Sequence, residues 1–139
     1  MTMITLAQCA AEICRLHDFF QAWFRGDMAE HEENFQQFAA VMSPDFFIIA
    51  PDGGLMTLLP LTERLRQAYG KQPGVRIWTQ QHRLHYQRAD VALCTYEEWQ
   101  ERNGETTVRL SSVLFQQATL APHGLVWLHV HETWLPSRQ

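Results

Sequence analysis

The chain has 139 residues, of which 46% are hydrophobic, 12% aromatic and 19% charged. This length and composition predict one globular domain over residues 1–139, because such a chain can bury one core but is too short to divide into two. Eleven Lys and Arg against fifteen Asp and Glu give a formal charge of -4. The basic residues are scattered, which excludes the basic stripe of a nucleic-acid-binding surface.

No apolar run approaches the roughly 20 residues of a membrane span, and the first residues lack the basic and apolar pattern of a signal peptide. We therefore predict a cytoplasmic protein with no membrane or nucleic-acid partner. Cys9, Cys14 and Cys94 lie in apolar patterns rather than at CxxC spacing, which favours free thiols. Five Trp and eight Phe are many for this length and indicate an aromatic-lined hollow or an apolar interface.

Two helices are predicted in the first third of the chain. Thr5 and Gln8 have the spacing of a capping box, and apolar residues then recur every three or four positions up to Gly26. A second helix with an acidic first turn begins at Asp27 and ends before Pro44.

One strand, a third helix and four further strands follow. A bulky apolar run at 45–50 predicts a strand that closes in a turn at 51–54, after which the chain can pair back against it. A short helix is expected over 60–70, with a glycine at its end. From Val75 the hydrophobic pattern has a period of two, which predicts four long antiparallel strands and the order α-α-β-α-β-β-β-β. The turns between these strands are expected at 88–89, 103–104 and 122–124.

Counting residues from the turns assigns each strand residue to one face of the sheet. The Asn-Gly turn pairs Arg102 with Glu105, and the last hairpin is set by placing Phe115 opposite Trp127. The more apolar face is expected to lie under the helices, since burial contributes roughly 25 cal/mol per Å² of apolar area. Its residues include Trp78, His82, Leu93, Thr95, Glu97, Trp99, Val108, Leu110, Ser112, Leu128, Val130, Glu132 and Trp134.

The two carboxylates on that face, Glu97 and Glu132, are the candidate catalytic groups. A buried carboxylate without a partner costs several kcal/mol, so each must be paired, protonated or facing a hollow. In apolar surroundings such a group has a raised pKa and suits a general acid or base near neutral pH. The alternative is that both acids lie at an open rim, solvated or paired with Arg. The residues predicted to bind a ligand beside them are Trp78, His82, Trp99, Ser112, Trp134 and, from the first helix, His17.

Other polar pairs in the strands have simpler interpretations. His129 and His131 share a face and could supply two metal ligands, but no third ligand is found. Neither a metal site nor a cofactor is therefore predicted. Glu98 and Arg109 fall opposite each other and are interpreted as a cross-strand ion pair, worth under about 1 kcal/mol if exposed. The sequence has no nucleophile elbow, zinc-finger spacing or dinucleotide fingerprint.

Four stretches carry a family resemblance: FQAWFRG at 20–26, SPDF at 43–46, PDG at 51–53 and GLVWLHVHET at 124–133. With the element order, they make the chain resemble the nuclear transport factor two-like superfamily, in its SnoaL-like and ketosteroid-isomerase-like branch. The resemblance implies an α+β, cystatin-like cone, in which a curved antiparallel sheet wraps around a long N-terminal helix and leaves a cavity at the wide end. It also implies a homodimer formed through the outer face of the sheet. In the register counted above, that face carries Tyr96, Phe115 and Trp127, which we expect at the dimer interface.

Three functions agree with this resemblance. The first is an uncharacterised small-molecule-binding protein, with an aromatic and acidic cavity for a small hydrophobic or mixed-polarity ligand. The alternative is an enzyme of isomerase, dehydratase or cyclase type that uses Glu97 or Glu132 as general acid or base. The third is an oligomerisation module with an incidental cavity.

The closing strand is also similar to that of the calcium/calmodulin-dependent kinase association domain, whose cavity is lined by basic side chains. The acids Glu97 and Glu132 expected here argue against an anionic ligand. The aspartate and tyrosine of steroid isomerases have no matching positions, so that activity is not carried over.

Overall fold

The computed structural model describes residues 3–136, which form three helices and a curved, open sheet of six strands. The short strand β2 is the pairing back that the sequence allows after the first strand. The helices are α1 (Leu6–Arg25), α2 (Glu32–Ala39) and α3 (Leu58–Gln67). The strands are β1 (Met42–Ile49), β2 (Leu55–Thr57), β3 (Arg76–Arg88), β4 (Val91–Arg102), β5 (Glu105–Gln117) and β6 (Leu125–Trp134).

The ends of α1 follow directly from local sequence. The Thr5 side chain accepts a hydrogen bond from the Gln8 backbone, the Gln8 side chain accepts one from the Thr5 backbone, and this confirms the predicted capping box. Gly26 ends the helix with φ 75°, a left-handed conformation that only glycine adopts at little cost. The second helix begins at Glu32 rather than at Asp27, so its acidic first turn lies later in the chain than predicted.

Aromatic side chains join α1 to α2. Trp23 of α1 stacks on Phe19, with ring centroids 5.6 Å apart, and contacts Phe35 of α2 at 5.1 Å. Within residues 3–136, none of the helices is both long and apolar enough to span a membrane. The cytoplasmic location stays a prediction.

The sheet has the strand order β2-β1-β6-β5-β4-β3 and is mixed rather than wholly antiparallel. The β1 strand pairs with β6 in parallel, whereas the other neighbours are antiparallel. Turn residues determine the direction of strands that follow each other in the chain, but β1 and β6 are far apart in sequence, so no turn reports their direction. The predicted pairing of Arg102 with Glu105 is confirmed.

On β4 and β5 the face that packs against α1 is the opposite of the predicted one. Tyr96 and Phe115, expected on the outer face, are only 2% and 0% exposed, whereas Leu93 and Leu110 are 37% and 40% exposed. The prediction assumed that the more apolar face must be the buried one. The buried face instead contains polar groups that pair with one another, and apolar residues remain common on protein surfaces.

A bulge in β6 exchanges the faces of the last strand. The predicted pairing of Phe115 with Trp127 is confirmed, but β6 contains one extra residue, Leu128, before the next pair. Such an insertion shifts every later side chain to the other face. Trp127 and Glu132 therefore both face the helices, and Glu132 points inward as predicted although the faces of the neighbouring strands were assigned wrongly.

Candidate functional site

A pocket of about 240 Å³ lies between α1 and the inner face of the sheet. Its walls divide into two chemically different halves. The apolar half includes Phe20, Phe24, Phe38, Phe46 and Leu61, contributed by α1, α2, β1 and α3. The polar half consists of His17, Tyr96, Glu98, Gln100, Arg102, Arg109 and Glu132.

Strand alternation places most of the polar half. Tyr96, Glu98 and Gln100 are every second residue of β4 and therefore share the inner face. Arg109 on β5 is the register partner of Glu98, and Glu132 lies on the next strand, β6. The sheet thereby brings acidic, amide and guanidinium groups from three strands to one wall.

His17 of α1 faces an acceptor on each side of its ring. Its Nδ1 lies 2.7 Å from the Ile13 carbonyl oxygen and its Nε2 lies 3.1 Å from Glu98 Oε1. A carbonyl can only accept, so Nδ1 carries a proton, and an imidazolium with protons on both nitrogens satisfies both contacts. Burial lowers the pKa of His17, but the charge and hydrogen bond of Glu98 outweigh burial, so the pKa is raised.

Glu98 is the carboxylate that accepts hydrogen bonds from His17 and Gln100 in the polar half. Burial opposes its ionisation, but the charges of His17 and Arg109, together with hydrogen bonds, lower its pKa to about 2. Gln100 Nε2 donates to Glu98 Oε2 at 2.5 Å, and Arg102 in turn donates to the Gln100 side-chain oxygen. The chain of donors holds Glu98 as a carboxylate against the cost of burying its charge.

Glu132 is the titratable acid of the pocket. Burial, with a smaller contribution from the negative charge of Glu98, raises its pKa to about 7, although Arg109 opposes the shift. Arg109 NH1 lies 3.3 and 3.4 Å from the two carboxylate oxygens, which are long contacts. The guanidinium also lies over the ring of Trp134, 4.7 Å from its centroid. Near neutral pH this carboxyl group can therefore exchange a proton.

Tyr96 completes the polar wall between Glu98 and the apolar half. Its ring meets the ring of His17 edge to face, with centroids 5.3 Å apart. Burial, followed by the nearby carboxylates, raises the pKa of its hydroxyl well above the usual value. The phenol is therefore a neutral group at physiological pH.

Of the predicted site residues, Glu132 and His17 line the pocket. Trp134 is 49% exposed and does not line the pocket itself; its ring contacts the guanidinium of Arg109, which does. The prediction that Glu97 faces the same hollow is wrong, because the inward residue of β4 is its neighbour Glu98. Glu97 lies on the outer face and is only 8% exposed; it accepts a hydrogen bond from Trp99 Nε1 at 3.1 Å.

The remaining predicted ligand contacts lie outside the pocket. The rings of Trp78 and Trp99 stack on each other, with centroids 5.9 Å apart, on the same outer face as Glu97. Ser112 pairs with Thr95 and shares that face. His82 lies within the irregular stretch of β3 between Gln80 and Arg83; its Nε2 lies 2.8 Å from Thr79 Oγ1, and its ring stacks on Tyr96 with centroids 6.4 Å apart. The exclusion of Trp78, Trp99 and Ser112 follows from the reversed faces of β4 and β5, whereas His82 lies on the helix side as predicted but outside the residues that line the pocket.

Sequence reasoning missed the central pairs of the polar wall. It found the register of Glu98 and Arg109 correctly and interpreted them as a cross-strand ion pair, but Glu98 forms its ion pair with His17 and Arg109 forms its ion pair with Glu132. Glu98 is 7% exposed and forms part of the wall with Gln100 and Arg102. The available signal was that Glu98 and Gln100 continue the inward alternation of Cys94 and Tyr96.

The histidines of β6 do not join the polar wall. His129 stacks on Phe47, with ring centroids 4.0 Å apart, and donates from Nδ1 to the Phe47 carbonyl oxygen at 2.9 Å. His131 is exposed, and the two imidazole centroids are 6.4 Å apart. In the part of the chain from 3 to 136, no group of three or more His, Cys, Asp or Glu side chains is placed to hold a metal ion.

Comparison with solved structures confirms the predicted NTF2-like fold. An NTF-2 like protein of unknown function from Pseudomonas aeruginosa is 26% identical, with a TM-score of 0.83 over 93% of this chain and 99% of that chain. The CaMKII hub of S. rosetta is 14% identical, with a TM-score of 0.65 over 91% of this chain and 96% of that one. A putative dehydratase of the NTF2-like family from Streptomyces avermitilis is 11% identical, with a TM-score of 0.68 over 94% and 96% of the two chains.

Sequence comparison identifies the family. Sucrose-phosphatase 2 of Nicotiana tabacum is 32% identical over 134 residues, which are 91% of this chain and 30% of the tobacco protein. Probable sucrose-phosphatase 2 of Arabidopsis thaliana is 24% identical over 125 residues, or 88% and 29% of the two proteins. The chain thus spans about 30% of the length of these relatives. Residues 9–136 match the family model described as sucrose-6-phosphate phosphohydrolase C-terminal. The chain therefore belongs to the sucrose-6-phosphate phosphohydrolase C-terminal family, and its fold is NTF2-like.

Proposed function

We propose that this domain binds a small organic molecule of mixed polarity in the pocket between α1 and the sheet. The proposal is based on the lining of this pocket of about 240 Å³. Aromatic side chains form one half of the lining, and two buried ion pairs, His17 with Glu98 and Arg109 with Glu132, belong to the other half. Buried ion pairs are costly compared with well-packed apolar side chains, so stability alone does not favour them around an empty space. A few directed polar groups in a mainly apolar pocket are typical of ligand sites.

The size of the pocket restricts the ligand. About 240 Å³ is below the roughly 300–1,000 Å³ of sites for drug-sized molecules. We therefore propose a ligand with about ten heavy atoms and an apolar body. Sucrose, suggested by the names of the relatives, is larger and carries hydroxyl groups on all sides, which the apolar half cannot pair.

The test fills the pocket and measures ligand-induced stabilisation. The panel contains 3-phenylpropanoate, its amide, the corresponding alcohol and sucrose, each tested by thermal shift and calorimetry. At 100 times its Kd a ligand stabilises the native state by about 2.7 kcal/mol, which is a shift of several degrees. Leu61→Trp fills the pocket and should weaken binding at least about tenfold, whereas Leu59→Trp, at a site of α3 that is 70% exposed, should not.

Two results would contradict the proposal. One is the absence of stabilisation by any member of the panel in a folded wild-type protein. The other is equal binding by wild type and a folded Leu61→Trp variant, since the ligand would then occupy another site.

A second candidate function is proton-transfer catalysis of isomerase, dehydratase or cyclase type. It is favoured by Glu132, whose pKa of about 7, raised mainly by burial, makes it both a usable acid and a usable base. Glu97 has no part in this proposal, because it lies on the opposite face of the sheet. Glu132→Gln should abolish any turnover of a bound compound, whereas Glu97→Gln should retain it.

We also propose that the protein is a homodimer through the outer face of the sheet. The sequence-based choice of Tyr96, Phe115 and Trp127 for this interface is wrong, since all three are buried in the core. The exposed apolar residues of the outer face, Tyr86, Leu93 and Leu110, support the proposal in their place.

A further inference from the structure

Arg109 has a donor that the protein does not use. Within residues 3–136 its Nε is buried and has no hydrogen-bond partner. The side chain is 16% exposed, and its NH1 makes only the two long contacts to Glu132. An unpaired buried donor on a charged group is costly. Because Arg109 lines the pocket, this unused donor becomes available to an acceptor atom of a ligand once the guanidinium turns from Glu132 toward the hollow.

The polar half carries an excess of positive charge. Arg102, Arg109 and the imidazolium of His17 are cations, against the fully ionised Glu98 and the partly ionised Glu132. His17 is buried and the Arg109 side chain is only 16% exposed, so their charges are weakly screened and would attract an anion more strongly than in water, whereas Arg102 is exposed and adds less. Since Glu98 and Glu132 do not balance the three cations, the charge does not support the expectation that acids exclude an anion.

We propose that the pocket binds a small carboxylate, with its anionic group on Arg109 and its apolar body among Phe20, Phe24 and Phe46, and that Glu132 takes up a proton when it binds. The inference rests on the proposed function and deepens it by naming the ligand class and its linkage to pH. Bidentate pairing of a guanidinium with a carboxylate uses the free Nε together with a second donor.

Glu132 takes up a proton because its carboxylate and the carboxylate of the ligand compete for Arg109. Ionised Glu132 engages NH1 and adds a negative charge to the site, whereas the protonated form releases Arg109 and removes that charge. The titratable groups that face Glu132 are Arg109 from β5, Glu98, Tyr96 and Arg102 from β4, and His17 from α1. The pocket side chains of α2, α3 and β1 are all apolar, so they supply no competing proton.

The affinity should therefore fall as the pH rises. With a pKa of about 7, raised by burial, Glu132 is about nine-tenths protonated at pH 6 and about one-tenth at pH 8. If only the protonated form binds the anion, the affinity decreases about tenfold over this interval. The ligand itself stays ionised throughout, because ordinary carboxylic acids titrate well below pH 6.

The test compares 3-phenylpropanoate with 3-phenylpropanamide by calorimetry at pH 6, 7 and 8, in buffers of different ionisation enthalpy. We expect the acid to bind more tightly than the amide at pH 6, to weaken about tenfold by pH 8, and to take up close to one proton at pH 8. Glu132→Gln should bind the acid as tightly at pH 8 as at pH 6. Arg109→Gln should lose at least about tenfold in affinity for the acid, and Arg76→Gln, a control whose side chain is 60% exposed, should not.

The outcomes separate this inference from the broader proposal. Equal binding of acid and amide by the wild type would overturn the carboxylate site while leaving small-molecule binding intact. A pH dependence that persists in Glu132→Gln would assign the proton to another group, such as His17, and would overturn the role of Glu132. Failure of both compounds to bind would contradict the inference together with the proposed function for this ligand size.

Discussion

At the scale of single residues, His17 shows how one contact determines a charge state. The carbonyl of Ile13 requires a proton on Nδ1, and Glu98 provides the reason for a second proton on Nε2. Burial by itself would favour the neutral ring. The charge of His17 near neutral pH therefore depends chiefly on Glu98, with smaller contributions from the Ile13 carbonyl of its own helix and from Glu132.

Glu98→Gln should consequently lower the pKa of His17 relative to the wild type, because burial is then opposed only by the Ile13 carbonyl and Glu132, whose effects are smaller than that of Glu98. A raised histidine pKa stabilises the fold at pH values below 6.5, and that stabilisation is lost as pH rises through the folded-state pKa. The variant should therefore lose about 1–3 kcal/mol at pH 6 and less at pH 8. Titration of the His17 ring protons by NMR checks the shift.

Glu97→Gln is the matched control, since Glu97 is the adjacent acid on the other face of β4. Its His17 titration should equal that of the wild type. An unchanged His17 pKa in Glu98→Gln would show that the pair seen here does not determine the protonation of the ring.

At the scale of elements, one buried carboxylate joins α1 to the segment between β5 and β6. Glu12 is fully buried and accepts hydrogen bonds from Trp127 Nε1 at 2.7 Å, His123 Nδ1 at 3.1 Å and Arg15 at 2.8 and 3.0 Å. Gln8 of α1 adds a hydrogen bond to the His123 carbonyl oxygen at 2.7 Å. All these groups donate to Glu12 or to the loop that it holds, so the contact requires an acceptor-only side chain.

We expect Glu12→Gln to destabilise the protein by about 2–4 kcal/mol, because its amide group would present a donor to Trp127, His123 or Arg15 inside the core. Urea unfolding measures the loss, and hydrogen exchange should show reduced protection in residues 118–124. Glu33→Gln, at an exposed site of α2, should stay within about 0.5 kcal/mol of the wild type. A similarly small change in Glu12→Gln would contradict the structural role of this network.

At the scale of the whole molecule, the outer face of the sheet exposes apolar side chains to solvent in the single chain. Tyr86, Leu93 and Leu114 are register neighbours on β3, β4 and β5, and Leu110 lies further along the same face. Tyr86 is 51% exposed. Exposed apolar side chains grouped on one face among polar residues are typical of an interface between proteins.

The homodimer prediction is tested by changing that face. Light scattering at micromolar concentration should give the dimer mass for the wild type, with an interface of about 1,200 Å² or more in total. Leu93→Glu should shift the mass to that of the monomer, because like charges would meet across a two-fold axis. Leu120→Glu, at a fully exposed position outside the sheet, should remain dimeric.

A monomer mass for the wild type would remove the prediction. A dimer that survives Leu93→Glu in a folded protein would place the interface elsewhere. Neither result would affect the pocket, since its lining residues belong to the helices and the inner side of the sheet.

The sequence by itself determined the local features of this protein: the capping box of α1, the glycine that ends it, the tight turn that pairs Arg102 with Glu105, and the family resemblance. Each depends on residues close together in the chain or on a pattern that repeats along it. The pairings of Phe115 with Trp127 and of Glu98 with Arg109 also followed from counting along strands.

Tertiary structure alone decided which face of the sheet is buried, and with it whether Glu97 or Glu98 lines the pocket. The sequence of a strand shows which residues alternate but not which side of the sheet the helices cover. In β6 the extra residue Leu128 also reverses the faces, and the hydrophobic pattern of the strand does not reveal it. The inner face tolerates Glu98 because His17, distant in sequence, supplies the opposite charge. That compensation exists only when α1 lies on β4, so only the folded molecule shows it.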